Sequence, residues 1–112
     1  MAEESGEMSN LSVRTVRDAG TVTLSVAGEL DGDTAESFAS AVGEAERSDA
    51  VVIVIDLTEV RFMDSSGLVA LLMASRRSDR EGGKGLQIRA GEGEVRQLLE
   101  LTSLDQKLNL VD

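Results

Sequence analysis

Asp64, Ser65 and Ser66 stand in a row, followed by Gly67, and they are the residues of this 112-residue chain best placed to do chemistry. Two hydroxyls beside a carboxylate suggest either a nucleophile or the cap of a helix. A serine that attacks an acyl group needs a base within hydrogen-bond reach and donors for the oxyanion. The chain has no His and no Cys. Those absences remove the commonest general base, the thiol nucleophile, disulfides and thiolate metal sites. Lys84 and Lys107 lie in a glycine-rich segment and near the chain end, and Met63 occupies the position two before Ser65 where a hydrolase elbow wants glycine. A catalytic serine therefore has no supporting machinery. Asp and Ser are favoured N-caps, each worth about 1 kcal/mol, and a helix N-terminus is the place on a backbone best suited to carry negative charge.

The flanking residues predict such a terminus. Val51-Val52-Ile53-Val54-Ile55 is short and β-branched and reads as a buried strand ending at Leu57, with Thr58-Glu59-Val60-Arg61 leading out of it. Leu68-Val69-Ala70-Leu71-Leu72-Met73-Ala74 reads as a helix that ends near Arg80, before Gly82, Gly83 and Gly85. Seven consecutive apolar residues point in every direction around a helix. Leu68, Leu71 and Leu72 are expected to face the sheet. Val69 and Met73 then point elsewhere, and two readings stand for them: burial by neighbouring elements, or an apolar patch open to a partner.

The other elements follow in order. A strand over residues 13–17 turns at Asp18-Ala19-Gly20 into the alternating strand Thr21-Val22-Thr23-Leu24-Ser25-Val26. Residues 28–33 read as a polar loop, with Asp33 capping a helix whose apolar stripe is Ala35, Phe38, Ala39 and Val42. Leu86-Gln87-Ile88 is a strand, Gly91-Glu92-Gly93-Glu94 opens a third helix with Val95, Leu98 and Leu99 on one face, and residues 108–111 form the last strand. The order is ββαβαβαβ. It predicts an α/β domain with a mixed β-sheet and helices packed mainly on one face.

Composition narrows the partners. The formal charge is −10, from 21 acidic and 11 basic residues, so phosphate backbones and anionic membranes are repelled. Two Phe and no Trp or Tyr leave no platform for stacking bases. No apolar run approaches the roughly 20 residues of a spanning helix, and the start of the chain has no secretory pattern. The expectation is a cytoplasmic protein that binds neither nucleic acid nor membrane, with a disordered acidic tail over residues 1–10 and one domain over residues 11–112. Gly82-Gly83-Lys84-Gly85 lacks the phosphate-loop spacing and reads as a turn. The acidic pairs Asp31/Asp33 and Glu92/Glu94 read as solvated loops.

Asp64-Ser65-Ser66-Gly67-Leu68 after Phe62-Met63 resembles the signature of the STAS domain of bacterial anti-sigma-factor antagonists. Gly28-Glu29-Leu30-Asp31 and residues 95–104 resemble that family's loop before the first helix and its third helix, so the likeness covers nearly the whole chain. The family usually has a further helix after the last strand, and often a Pro where this chain has Gly91-Glu92-Gly93.

The resemblance implies a single STAS-like domain acting as an anti-sigma-factor antagonist. Its unmodified form would bind an anti-sigma factor that is itself a serine kinase, freeing a sigma factor. Phosphorylation at Ser65 would abolish that binding, and a PP2C-type phosphatase would reverse it. The chain would be a substrate and no enzyme, without metal or cofactor, as a monomer or weak homodimer. The residues implied at the partner surface are Asp31, Asp64, Ser65, Ser66, Gly67, Val69 and Met73. The alternative is a non-switching assembly module, in a stressosome-like complex or as an accessory subunit of a transporter.

Overall fold

The computed structural model describes residues 2–8, 10–80 and 82–111, the first of these segments as backbone. A single sheet runs β1-β2-β3-β4-β5-β6 in chain order, built from β1 (Ala2–Met8), β2 (Leu11–Asp18), β3 (Thr21–Leu30), β4 (Val52–Met63), β5 (Gly85–Arg89) and β6 (Leu110–Val111). The first three strands are antiparallel and the last four are parallel. Between the parallel strands lie α1 (Ala35–Arg47), α2 (Ser65–Ser78) and α3 (Glu94–Leu101).

Each parallel crossover steps to the next strand in the same direction, and right-handed crossovers then put all three helices on one face. Phe38 and Val42 of α1, Leu71 and Ala74 of α2, and Val95 and Leu99 of α3 accordingly share one core with Leu24, Val26, Ile53, Ile55 and Ile88 of the sheet. The opposite face carries half-buried Thr21, Thr23, Ser25 and Gln87 and the Arg89–Asp56 ion pair at 3.4 Å. The strand–helix order expected from residue 11 onward holds.

Four expectations are corrected. Ala2–Met8 pairs antiparallel with β2, where the sequence reads as a disordered tail; Met1 and Ser9, also in that reading, lie outside the described residues. Strand pairing uses the backbone, which every residue has, so this hairpin leaves no apolar periodicity to read, and Glu-rich sequence suits an outer strand. The stripe of α1 is Phe38, Val42 and Ala45, with Ala39 exposed. The buried line of α2 is Gly67, Leu71 and Ala74; Leu68 packs beside it, and Leu72 is only half-buried.

The fourth correction bears on the site. β4 continues through Thr58-Glu59-Val60-Arg61 to Met63, and β3 continues through Glu29 and Leu30. Between the Ser25–Asp56 and Ala27–Glu59 pairs β4 advances by three residues and β3 by two; a second extra residue enters β4 between the Gly28–Val60 and Glu29–Phe62 pairs. These bulges make Leu57, Val60 and Met63 face inward at every third position, which hides the strand from a search for alternation.

Candidate functional site

The long β3 and β4 end together, at the Leu30–Met63 pair, and each hands over to a helix there. The β4 junction is a single residue. Asp64 is extended, its carboxylate Oδ1 accepts the Ser66 N–H at 2.8 Å, and its carbonyl accepts the Leu68 N–H at 3.2 Å. Ser65 is therefore the first helical residue, directly after a strand end, and it is exposed. No loop separates the strand from the helix.

The β3 junction takes four residues and closes on itself. The Asp31 carboxylate Oδ1 accepts the N–H groups of Asp33 at 3.0 Å and Thr34 at 3.2 Å, and Thr34 Oγ1 stands 3.3 Å from it. In return the Asp31 N–H donates to Thr34 Oγ1 at 3.0 Å, while that hydroxyl donates to the Glu29 carbonyl at 2.8 Å. The Ala35 N–H reaches the Asp31 carbonyl at 2.8 Å. This is a reciprocal capping box. Asp31 is the effective cap of α1, and Asp33, expected in that role, is exposed. Thr34 is 2% exposed, the one buried polar side chain among the described residues. The three-residue spacing of Asp31 and Thr34 was the available sequence signal for it.

Gly67 brings the junctions together, and Gly28 lets the turn before β2 approach β3. A β-carbon at Gly67 would stand 2.7 Å from Met63 Cγ, 2.9 Å from Leu30 Cγ and 3.1 Å from the Leu30 oxygen. Only glycine lets the first turn of α2 settle onto the paired strand ends. Gly28 has φ +106°, and a β-carbon there would lie 2.0 Å from the Asn10 oxygen, which instead accepts the Glu29 N–H at 2.9 Å. The Asp64 N–H donates to the Leu30 carbonyl at 3.2 Å, and Ser66 Oγ lies 3.7 Å from where a Gly32 β-carbon would be. Asp31, Asp64, Ser65, Ser66 and Gly67 thus occupy one corner, at the end of the sheet where the parallel strands finish.

The exposed line of α2 is Ser65, Val69, Met73 and Arg76, at helical spacings of four, four and three. Val69 is 56% exposed and Met73 43% exposed. Of the two readings for this pair, burial by neighbouring elements is ruled out. Phe62, 49% exposed one residue before the end of β4, is a third apolar side chain in solvent at this corner, an exposure that the sequence did not single out. The corner is strongly acidic: Asp31, Asp33, Glu36 and Asp64 stand within or beside the two junctions. No cluster of side chains suited to a metal ion occurs among the described residues, and no described helix is long and apolar enough to cross a membrane.

Comparison with known proteins agrees with this architecture. A family model described as "Mlab, STAS domain" matches residues 12–112. The chain is 31% identical over 94 residues to an anti-sigma-B factor antagonist of Listeria monocytogenes, covering 84% of this chain and 82% of that protein. It is 30% identical over 101 residues to the anti-sigma-F factor antagonist RsfB of Mycobacterium tuberculosis, covering 90% and 81%. Among solved structures it resembles an anti-sigma factor antagonist from Mycobacterium paratuberculosis, with TM-score 0.77, 28% identity and coverage of 89% and 84%. The fold also matches SpoIIAA in its unphosphorylated form, with TM-score 0.67 at 20% identity, over 99% of this chain and 89% of that one. The chain belongs to the STAS-domain family of anti-sigma-factor antagonists.

Proposed function

We propose that this protein is a binding module for an anti-sigma factor, switched by phosphorylation of Ser65. The reading rests on one observation above all: Ser65 is an exposed hydroxyl on the first turn of α2, in line with the exposed Val69 and Met73. A kinase can reach it, and a docking partner that covers Val69 and Met73 covers it too. The names of the relatives supply the partner class, an anti-sigma factor. The kinase activity of that partner and a PP2C-type phosphatase complete the cycle proposed here. The chain itself brings no catalytic group and acts as substrate, in the cytoplasm, as a monomer or weak homodimer.

The physics of the switch follows from the two junctions. A phosphoryl group adds nearly two negative charges. At the N-terminus of α2 the helix dipole favours that charge, so the fold tolerates it. Asp64 is the acidic neighbour in sequence, and Asp31 is across the paired strand ends, so a phosphorylated corner becomes a dense anionic patch beside apolar Val69 and Met73. A partner that accepts the unmodified corner would have to desolvate that charge. A loss of about 3 kcal/mol would weaken binding roughly a hundredfold.

The decisive experiment maps phosphosites by mass spectrometry on protein from its own cells, grown with and without stress, and compares Ser65→Asp with Ser65→Ala in capture of the anti-sigma factor. Condition-dependent phosphate on Ser65, with capture lost only in Ser65→Asp, is the expected result. Ser65 always bare, and equal capture by both variants, would replace the switch with a constitutive docking module. A circular dichroism melt should show the phosphorylated form still folded.

A further inference from the structure

We propose that the hollow at the far end of α2 is a binding site for a phosphate or diphosphate group. It encloses about 350 Å³, at the small end of the range for small-molecule sites. Its floor is Ile53, Ala74 and Leu86, and its wall carries Arg77, Arg80 and Lys84. The chain as a whole bears −10, yet among the described residues this wall sets three cations against one lining carboxylate, Glu46. Charge of that sign, gathered against the trend of the molecule around a concave surface, suits a small anion.

The three cations differ in how they are held. Arg77 Nε donates to both Glu46 oxygens, at 3.0 and 2.8 Å, which fixes its guanidinium and uses up the carboxylate. Lys84 Nζ donates to the Ala50 carbonyl at 2.6 Å; an ammonium has three donors, and Lys84 has no carboxylate partner among the described residues. Arg80 has no side-chain hydrogen bond or ion pair among the described residues. One anchored guanidinium, one free guanidinium and a half-satisfied ammonium are the donors a tetrahedral oxyanion takes.

The end of a helix normally repels anions through its carbonyls. Here two are already occupied: the Gly83 N–H donates to the Arg80 oxygen at 2.8 Å, and the Arg80 N–H donates to the Arg77 oxygen at 3.3 Å. Ser78 Oγ turns away to donate to the Lys84 carbonyl at 2.6 Å. Gly82 and Gly83 line the opening without side chains. This segment is the turn that its sequence suggests, and its contribution is access. The hollow lies about 20 Å from Ser65, the length of a 14-residue helix, so it is separate from the phosphorylation corner and does not depend on it.

The test is a titration of the 15N-labelled full chain with inorganic phosphate and, separately, pyrophosphate, at constant ionic strength. Saturable shifts confined to residues near 77–85, with a dissociation constant of about 1 mM or tighter for one of them, are expected. Tighter binding of pyrophosphate would assign a diphosphate ligand, and equal binding a single phosphate group. Arg80→Ala should weaken binding about tenfold with an unchanged melting temperature, because Arg80 is exposed and unpaired. Shifts that grow without saturation, or that are the same in Arg80→Ala, would overturn the assignment.

Discussion

Two strand-to-helix junctions lie side by side at one end of this sheet, and they use similar residues in opposite ways. After β3, residues 31–34 fold back so that Asp31 and Thr34 satisfy each other's backbone, and Thr34 is buried. After β4, Asp64 makes one cap bond and the chain goes straight into helix, leaving Ser65 in solvent. The first junction spends its polar groups internally. The second leaves a hydroxyl free at the positive end of a dipole. An aspartate near a hydroxyl side chain is thus no guide to which one acts; the number of internal donors each carboxylate already holds is.

The largest expected effect comes from forcing the junctions apart. Gly67→Ala places a β-carbon against Met63 and Leu30 and should cost about 3 kcal/mol in urea unfolding, as overpacking does. A cost near zero would mean the two junctions do not rest on each other. Thr34→Val removes a buried hydroxyl that bonds to the Asp31 N–H and the Glu29 carbonyl, leaving both without their partner. It should destabilise by about 2 kcal/mol.

Comparable and smaller effects sharpen the contrast between the carboxylates. Asp31→Ala should cost about 2 kcal/mol and Asp64→Ala about 1 kcal/mol, measured by chemical denaturation, since one oxygen of Asp31 serves two backbone donors and that of Asp64 serves one. Equal costs would mean that the two carboxylates hold their junctions alike. Smallest of all, Ser65→Ala should change stability by less than about 0.5 kcal/mol, while removing the proposed modification entirely. A substantial loss of stability on that substitution would make Ser65 a structural residue like Thr34.

Much of this was legible in the sequence. The apolar run before Asp64 and the Leu/Ala-rich run after it place a strand and a helix around the motif, and the cap follows from residue type. The exposure of Val69 and Met73 was not legible, because seven apolar residues in a row carry no record of which side is covered. Nor was the length of β4: its two bulges put inward residues at Leu57, Val60 and Met63, a spacing of three that matches neither strand nor helix. The edge strand β1 escaped for a related reason, since backbone pairing needs no side-chain pattern.

By itself, the chain's chemistry determined the element types and their order from residue 11 onward, the acidic balance, the lack of His and Cys, and the position of a capped helix start at Asp64-Ser65. Those properties are local, written in periodicity, residue type and composition. Only the tertiary structure decided that Asp31 is consumed by Thr34, that Gly67 must be bare because two strand ends press on it, and that Arg80 and Lys84 border one hollow. Each of these depends on which distant segment comes to lie alongside, and sequence spacing holds no measure of that distance.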